Sequence, residues 1–233
     1  MSLEFLDDTE NDNEISELEE SEETLGSVEF LGDGVLLEKI KGFFENIKNV
    51  FEGKEANEGI IGNPEKDMEV WHVQESPVSC AVCCQEFVAE QVTGQEFTEQ
   101  EFCDFAENQG WFDPETGTAP YDVGNILEYM GFDVTRQEGV TIQELSQMLE
   151  NGEKVIVGVN NMVLAYPELA ELPGYNANHA VQVIGIDTTD PNNIEVILND
   201  PGVENGKGIR HSMDDFVKAW NTGNNFTVSA TKE

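Results

Sequence analysis

Positive charge is scarce in this chain: 233 residues hold 11 Lys plus Arg against 48 Asp plus Glu, a formal net charge of −37. So negative a surface repels nucleic acid and anionic lipid, which argues against both as partners. Long apolar runs are missing too, and no stretch approaches the ~18 residues that a membrane span needs. The first thirty residues carry no Lys or Arg and no apolar core. They do not read as a secretory signal, and the expected location is cytoplasmic. Cysteine is sparse, with 4 in all, three of them crowded into Cys80, Cys83 and Cys84. That is no disulfide scaffold, and the adjacent pair does not readily bridge, which suits a reducing compartment. Histidine is scarcer still, with His72, His179 and His211 only. What is present is a 39% apolar fraction with 13 Phe and 3 Trp, enough for a hydrophobic core and too much for a wholly disordered chain.

The acid is uneven. Residues 1–33 hold 13 Asp or Glu and no base, and such a stretch buries too little apolar surface to offset its ordering entropy, so a disordered tail is expected. Over 34–52, Leu36, Ile40, Phe43, Phe44, Ile47, Val50 and Phe51 recur at helical spacing, with Lys39, Lys41 and Lys48 among the polar positions. This predicts an amphipathic helix. Its lysines favour docking on the chain's own acidic domain, as a prosegment or a docking helix. Residues 53–66, with Gly53, Gly59, Gly62 and Pro64, read as a linker, and the remaining 67–233 as one domain.

Within that domain, helices come first. Ser79 is placed to cap a helix running through Val82, Phe87 and Val88 to Gly94. Thr98 with Glu101, and Thr141 with Glu144, form capping boxes for two more. A further helix covers Val123 to Met130. Strands rich in Val and Ile follow over Lys154–Asn160, His179–Asp187, Ile194–Asn199 and Asn225–Ala230, interrupted by a helix from Ser212 to Trp220. The class is α+β, with an N-terminal helical part packed on a mostly antiparallel C-terminal sheet.

Cys80-x-x-Cys83 is half of a zinc-site spacing, but no second Cys pair or His pair follows, so no metal and no cofactor is expected. Cys83, Cys84 and Cys103 suit a buried apolar face. Cys80 differs because it opens its helix, where unpaired N–H groups and the dipole stabilise a thiolate. A nucleophilic cysteine then needs a base held by a third group. His179 opens a buried strand and can face a cleft, as a general base must. The next strand ends in Asn199-Asp200-Pro201, and Pro201 holds Asp200 extended. Side chains alternate, so one of Asn199 and Asp200 reaches the imidazole. Gln74, six residues before Cys80, can donate to an oxyanion together with the Cys80 N–H.

These residues together resemble a known family. Gln74-x5-Cys80, then Asn178-His179-Ala-Val-Gln-Val-Ile-Gly, then Asn199-Asp200-Pro201, are similar to papain-like cysteine peptidases, closest to the double-glycine, bacteriocin-processing branch and its stand-alone relatives. The likeness runs on through Val155-Ile-Val-Gly-Val-Asn160 and through Phe216 and Trp220, and spans about 70–231. It implies a bacterial thiol protease in which Cys80 attacks, His179 is the base, Asp200 orients it and Gln74 holds the oxyanion. The family usually flanks its nucleophile with an acidic residue and a Gly, where this chain has Ser79 and Ala81. Membrane-bound members are fused to a transporter, which this sequence lacks. The expected function is hydrolysis of a peptide or protein substrate. Its rivals are another acyl transfer on the same residues (deamidase, amidase or transpeptidase) and a catalytically silent peptide-docking domain of the same fold.

Overall fold

The structure, a computed structural model, describes residues 59–232. The acidic stretch 1–33, the 34–52 helix and its expected docking lie outside the described residues.

Strand formation begins earlier than the sequence suggests. Ile60–Gly62 forms β1 and Pro64–Asp67 forms a short helix α1, where a linker to residue 66 was expected. Gly59 and Gly62, which read as linker glycines, are here packing devices. Gly62 has φ +86°, and a β-carbon on it would lie 2.5 Å from the Ile184 carbonyl oxygen. Only glycine lets β1 run this close to its neighbour.

The helical layer follows: α2 (Cys80–Thr93), α3 (Glu99–Gln109) and α4 (Asn125–Tyr129). Both capping boxes form as predicted, at Thr98 with Glu101 for α3 and at Thr141 with Glu144 for α5 (Ile142–Glu150). Ser79 does sit before α2, but its hydroxyl makes no capping bond. It donates instead towards Ser76 O and Glu99 Oε1, at 2.9 and 2.6 Å, because the buried Glu99 carboxylate is the stronger acceptor. Every residue from Ala81 to Ala89 is buried, so α2 is a core helix until its last turn, where Val92 is exposed. Its polar Gln85 is satisfied by use: Oε1 accepts from Gly124 N and Ile126 N and so caps α4 from a distance.

The sheet comprises β2 (Asp133–Gln137), β3 (Lys154–Val159), β4 (His179–Asp187), β5 (Glu195–Asn199), β6 (Ile209–Ser212) and β7 (Thr227–Thr231), in the order β2-β7-β3-β4-β5-β6. All pairings are antiparallel, and β1 pairs with β4 beyond the end of β3. Helix α6 (Asn161–Ala165) follows β3, capped by Asn160, and α7 (Met213–Asn221) follows β6, capped by Ser212. Strands β3, β4 and β5 are buried along most of their length, which fits their near-continuous Val and Ile. Ile156, Ala180 and Val228 join the core under α2, while α5 and α7 pack against β3 from other positions. The fold is α+β, a helical layer on an antiparallel sheet. Among the described residues no helix is long and apolar enough to cross a membrane.

Candidate active site

Three element ends converge at one end of the sheet's interior strands. Helix α2 begins with Cys80, β4 begins with His179, and Asp200 follows the last residue of β5. Antiparallel pairing of β4 with β5 puts the start of one beside the end of the other. His179 Nε2 lies 2.7 Å from Asp200 Oδ1. The other ring nitrogen is left for Cys80, whose thiol is close enough to the imidazole for each to shift the other's titration. Asn199 faces away, donating to Asp67 O at 2.9 Å and to Gln182 Oε1 at 3.1 Å. The strand's alternation thus gives Asp200 to the histidine and Asn199 to the core.

The Asp200 turn is tightly held. Gly202 N donates to Asp200 Oδ1 at 2.8 Å, and Asp200 N donates to Gly206 O at 3.0 Å. A β-carbon on Gly202 would lie 2.8 Å from His179 Cε1, so a larger residue in the turn would displace the ring. The segment before the nucleophile is stitched to the same turn, with Trp71 Nε1 donating to Asp200 O and Gln74 N donating to Pro201 O, at 2.8 and 2.9 Å.

Burial alone would raise the Cys80 thiol. Its bond to His179, the positive imidazole and the backbone N–H groups of Ala180 and Ala81 outweigh this and hold it below the ordinary thiol value. Burial likewise works against the His179 charge, yet Asp200 and Cys80 lift the imidazole to about 10. The two groups thus favour each other's charged forms, thiolate on Cys80 and imidazolium on His179. The remaining cysteines behave oppositely. Burial pushes up Cys83 and Cys84, and Cys103 goes to about 12. Cys84 Sγ donates to Ala180 O, a structural contact.

A cleft of about 480 Å³ opens between the helical layer and the sheet, lined by Val78, Cys80, Tyr121, Gly158, His179 and Phe226 among others. Gln74 is not in its wall. Its Nε2 donates to Ser76 O at 2.7 Å, and its Oε1 is buried without a partner. Of the other histidines, His72 bonds Glu86 and His211 lies in β6. One supporting residue was not foreseen. Glu99 accepts from Glu75 N, Ser76 N and Ser79 Oγ, at 2.6, 3.0 and 2.6 Å, and so fixes the loop entering Cys80. In sequence it is only an acid in a first helical turn, which the dipole already explains.

No family model matches the chain. An uncharacterized protein of Mycobacterium tuberculosis is 32% identical over 127 residues, 49% of this chain and 53% of the relative, and one of Mycobacterium bovis matches equally. The chain thus spans about half the length of the curated relatives it matches. Among solved structures, the peptidase domain of Streptococcus ComA, a bifunctional ABC transporter, has a TM-score of 0.48 at 14% identity, covering 70% of this chain and 98% of that one. A C39-like peptidase from Bacillus anthracis has a TM-score of 0.52 at 16% identity, over 76% of this chain and 99% of that one. The described domain has the papain-like α+β fold of the C39-like peptidases.

Proposed function

We propose that the chain is a cysteine peptidase working through a Cys80 acyl-enzyme. The observation that carries this reading is the unbroken contact from the Cys80 thiol, at a helix N-terminus, through His179 to the buried Asp200 carboxylate, beside a cleft. The Cys80 thiolate attacks the peptide carbonyl carbon, and the His179 imidazolium gives its proton to the leaving amine. The neutral imidazole then takes a proton from water, whose oxygen attacks the thioester. The carboxylic acid leaves, and the thiolate–imidazolium pair is restored. Asp200 accepts from Nε2–H throughout, which keeps Nδ1 towards sulfur. The oxyanion takes the Cys80 N–H, which has no acceptor one turn back. Gln74 joins it when Nε2 turns from Ser76 O towards the cleft, a rotation favoured by the partnerless Oε1.

The test is to expose the full chain to a peptide bearing an electrophilic warhead and map the labelled cysteine. The expected result is rapid labelling at Cys80 alone near neutral pH, lost in His179→Ala. Equal labelling of Cys83, or turnover surviving in Cys80→Ala, refutes the reading. A silent docking domain would bind the peptide without selective labelling.

A further inference from the structure

Three side chains that this chemistry leaves unused meet one helical turn below Cys80. His72 comes from the segment before the nucleophile. Cys83 and Glu86 stand three apart on α2 and so share a face. His72 Nε2 lies 3.1 Å from Glu86 Oε2, and a ring nitrogen, Cys83 Sγ and a Glu86 oxygen all lie within 4.8 Å of one another. Cys83 and Glu86 are 0% and 2% exposed, while His72 keeps a solvent-facing edge. The Cys83 thiol also reaches Ser79 Oγ at 3.9 Å, a hydroxyl whose proton is turned to Glu99 and Ser76, and the Glu99 carboxylate is close by. A buried thiol thus faces a buried carboxylate, and burial with the Glu99, Cys84 and Glu86 charges pushes the thiol strongly up. An imidazole, a sulfur and a carboxylate oxygen converging in this way form a zinc-type donor set. Of the Cys80-x-x-Cys83 spacing only Cys83 takes part, its partners being an upstream histidine and an i+3 glutamate.

We propose that His72, Cys83 and Glu86 bind a divalent cation of zinc type, with the fourth position open to water on the exposed side of His72. Bond lengths of about 2.0–2.3 Å set tetrahedral ligand spacings near 3.5 Å, so the three donors must close by about 1 Å. Rotation of the half-exposed His72 supplies that movement. Cys83 loses its proton to solvent on binding, and so does His72 when charged. The dication then balances one thiolate and one carboxylate, which removes the electrostatic penalty of the buried pair. It also ties the segment carrying Trp71 and Gln74 to α2 beneath the nucleophile.

The test uses the full chain carrying Cys80→Ala, because the Cys80–His179 pair is itself a soft-metal ligand set. Its outcome does not depend on whether the chain is a peptidase. Cobalt(II) is the probe, read by the near-ultraviolet thiolate-to-cobalt band, which the carboxylates of the acidic stretch do not produce. The expected result is a saturable band, displaced by Zn²⁺, that is lost when Cys83→Ser is added. Adding His72→Ala, at a half-exposed position, should weaken cobalt affinity at least about tenfold. Absence of the band from the Cys80→Ala chain overturns the proposal. So does its persistence with Cys83→Ser, or unchanged affinity with His72→Ala.

Discussion

Gly202→Ala tests the His179–Asp200 pair without touching either residue. The new β-carbon would lie 2.8 Å from His179 Cε1, 3.0 Å from Nε2 and 3.2 Å from Asp200 Oδ1. Non-bonded carbons rest at about 3.5–4.0 Å, so the ring must retreat by roughly 0.7 Å. The 2.7 Å bond to Asp200 then stretches to roughly the outer limit of a useful hydrogen bond. Overpacking of this kind costs about 1–3 kcal/mol, so the domain should stay folded. A misplacement of about 1 Å in a reacting group lowers rates about a hundredfold. The expected loss here is therefore between about tenfold and a hundredfold. The assay is the rate of Cys80 alkylation by iodoacetamide across pH, with the labelled residue mapped and thermal unfolding run in parallel. This needs no knowledge of the substrate. The variant should alkylate more slowly near neutrality and need a higher pH, because a displaced imidazolium stabilises the thiolate less. A folded variant with the parent's rate and pH midpoint would refute the reasoning.

Asp200→Asn should keep the fold and lower kcat at least about tenfold, since the imidazolium loses its counter-charge. Asn199→Ala should instead lower stability with little effect on Cys80 alkylation, because its amide serves Asp67 O and Gln182; the reverse ranking counts against the assignment. Cys80 is held below its ordinary value and His179 is raised to about 10. Turnover should therefore fall as pH drops through the first and as it rises through the second, and His179→Ala should move the alkylation midpoint of Cys80 upward. Glu99 is also buried, which opposes its charge, but its three donors prevail and hold it below the usual carboxylate range. Its stabilising contribution is present above about 4.5 and fades as pH falls through the depressed value. Glu99→Gln turns an amide donor onto groups that are themselves donors, and urea unfolding should show a loss of about 1–3 kcal/mol.

The elements legible in the sequence are those whose causes are local. Both capping boxes bring their own partners, and β4 runs from His179 to Asp187 as its apolar run implies. The elements missed depend on distant partners. In β2, Val134 is the one apolar residue of Asp133–Gln137, and the strand exists because β7 offers it an edge. Helix α4 was expected over Val123 to Met130 and forms at Asn125–Tyr129, but its cap, borrowed from Gln85, was not legible. Asn160 reads as the end of a strand, yet its side chain accepts from Met162 N and Val163 N and starts a helix. Within the candidate site, the sequence singled out Cys80, His179 and Asp200, which the structure brings together, because few residue types offer that chemistry. Gly202 looked like an ordinary turn residue, since nothing in Asp-Pro-Gly reveals an imidazole at its back.

Strand β7 is the last of the sheet in sequence and stands between β2 and β3 in space. This order has a kinetic consequence. A ribosome delivers β2 to β6 first, and β2 has no strand to join until Thr227–Thr231 has been made. The gap must be filled by a late, long-range insertion, which makes for slow closure. Synthesis order acts in the same direction at the thiol. Cys80 is made about a hundred residues before His179, so the half-made chain holds its thiol without the imidazole that lowers it.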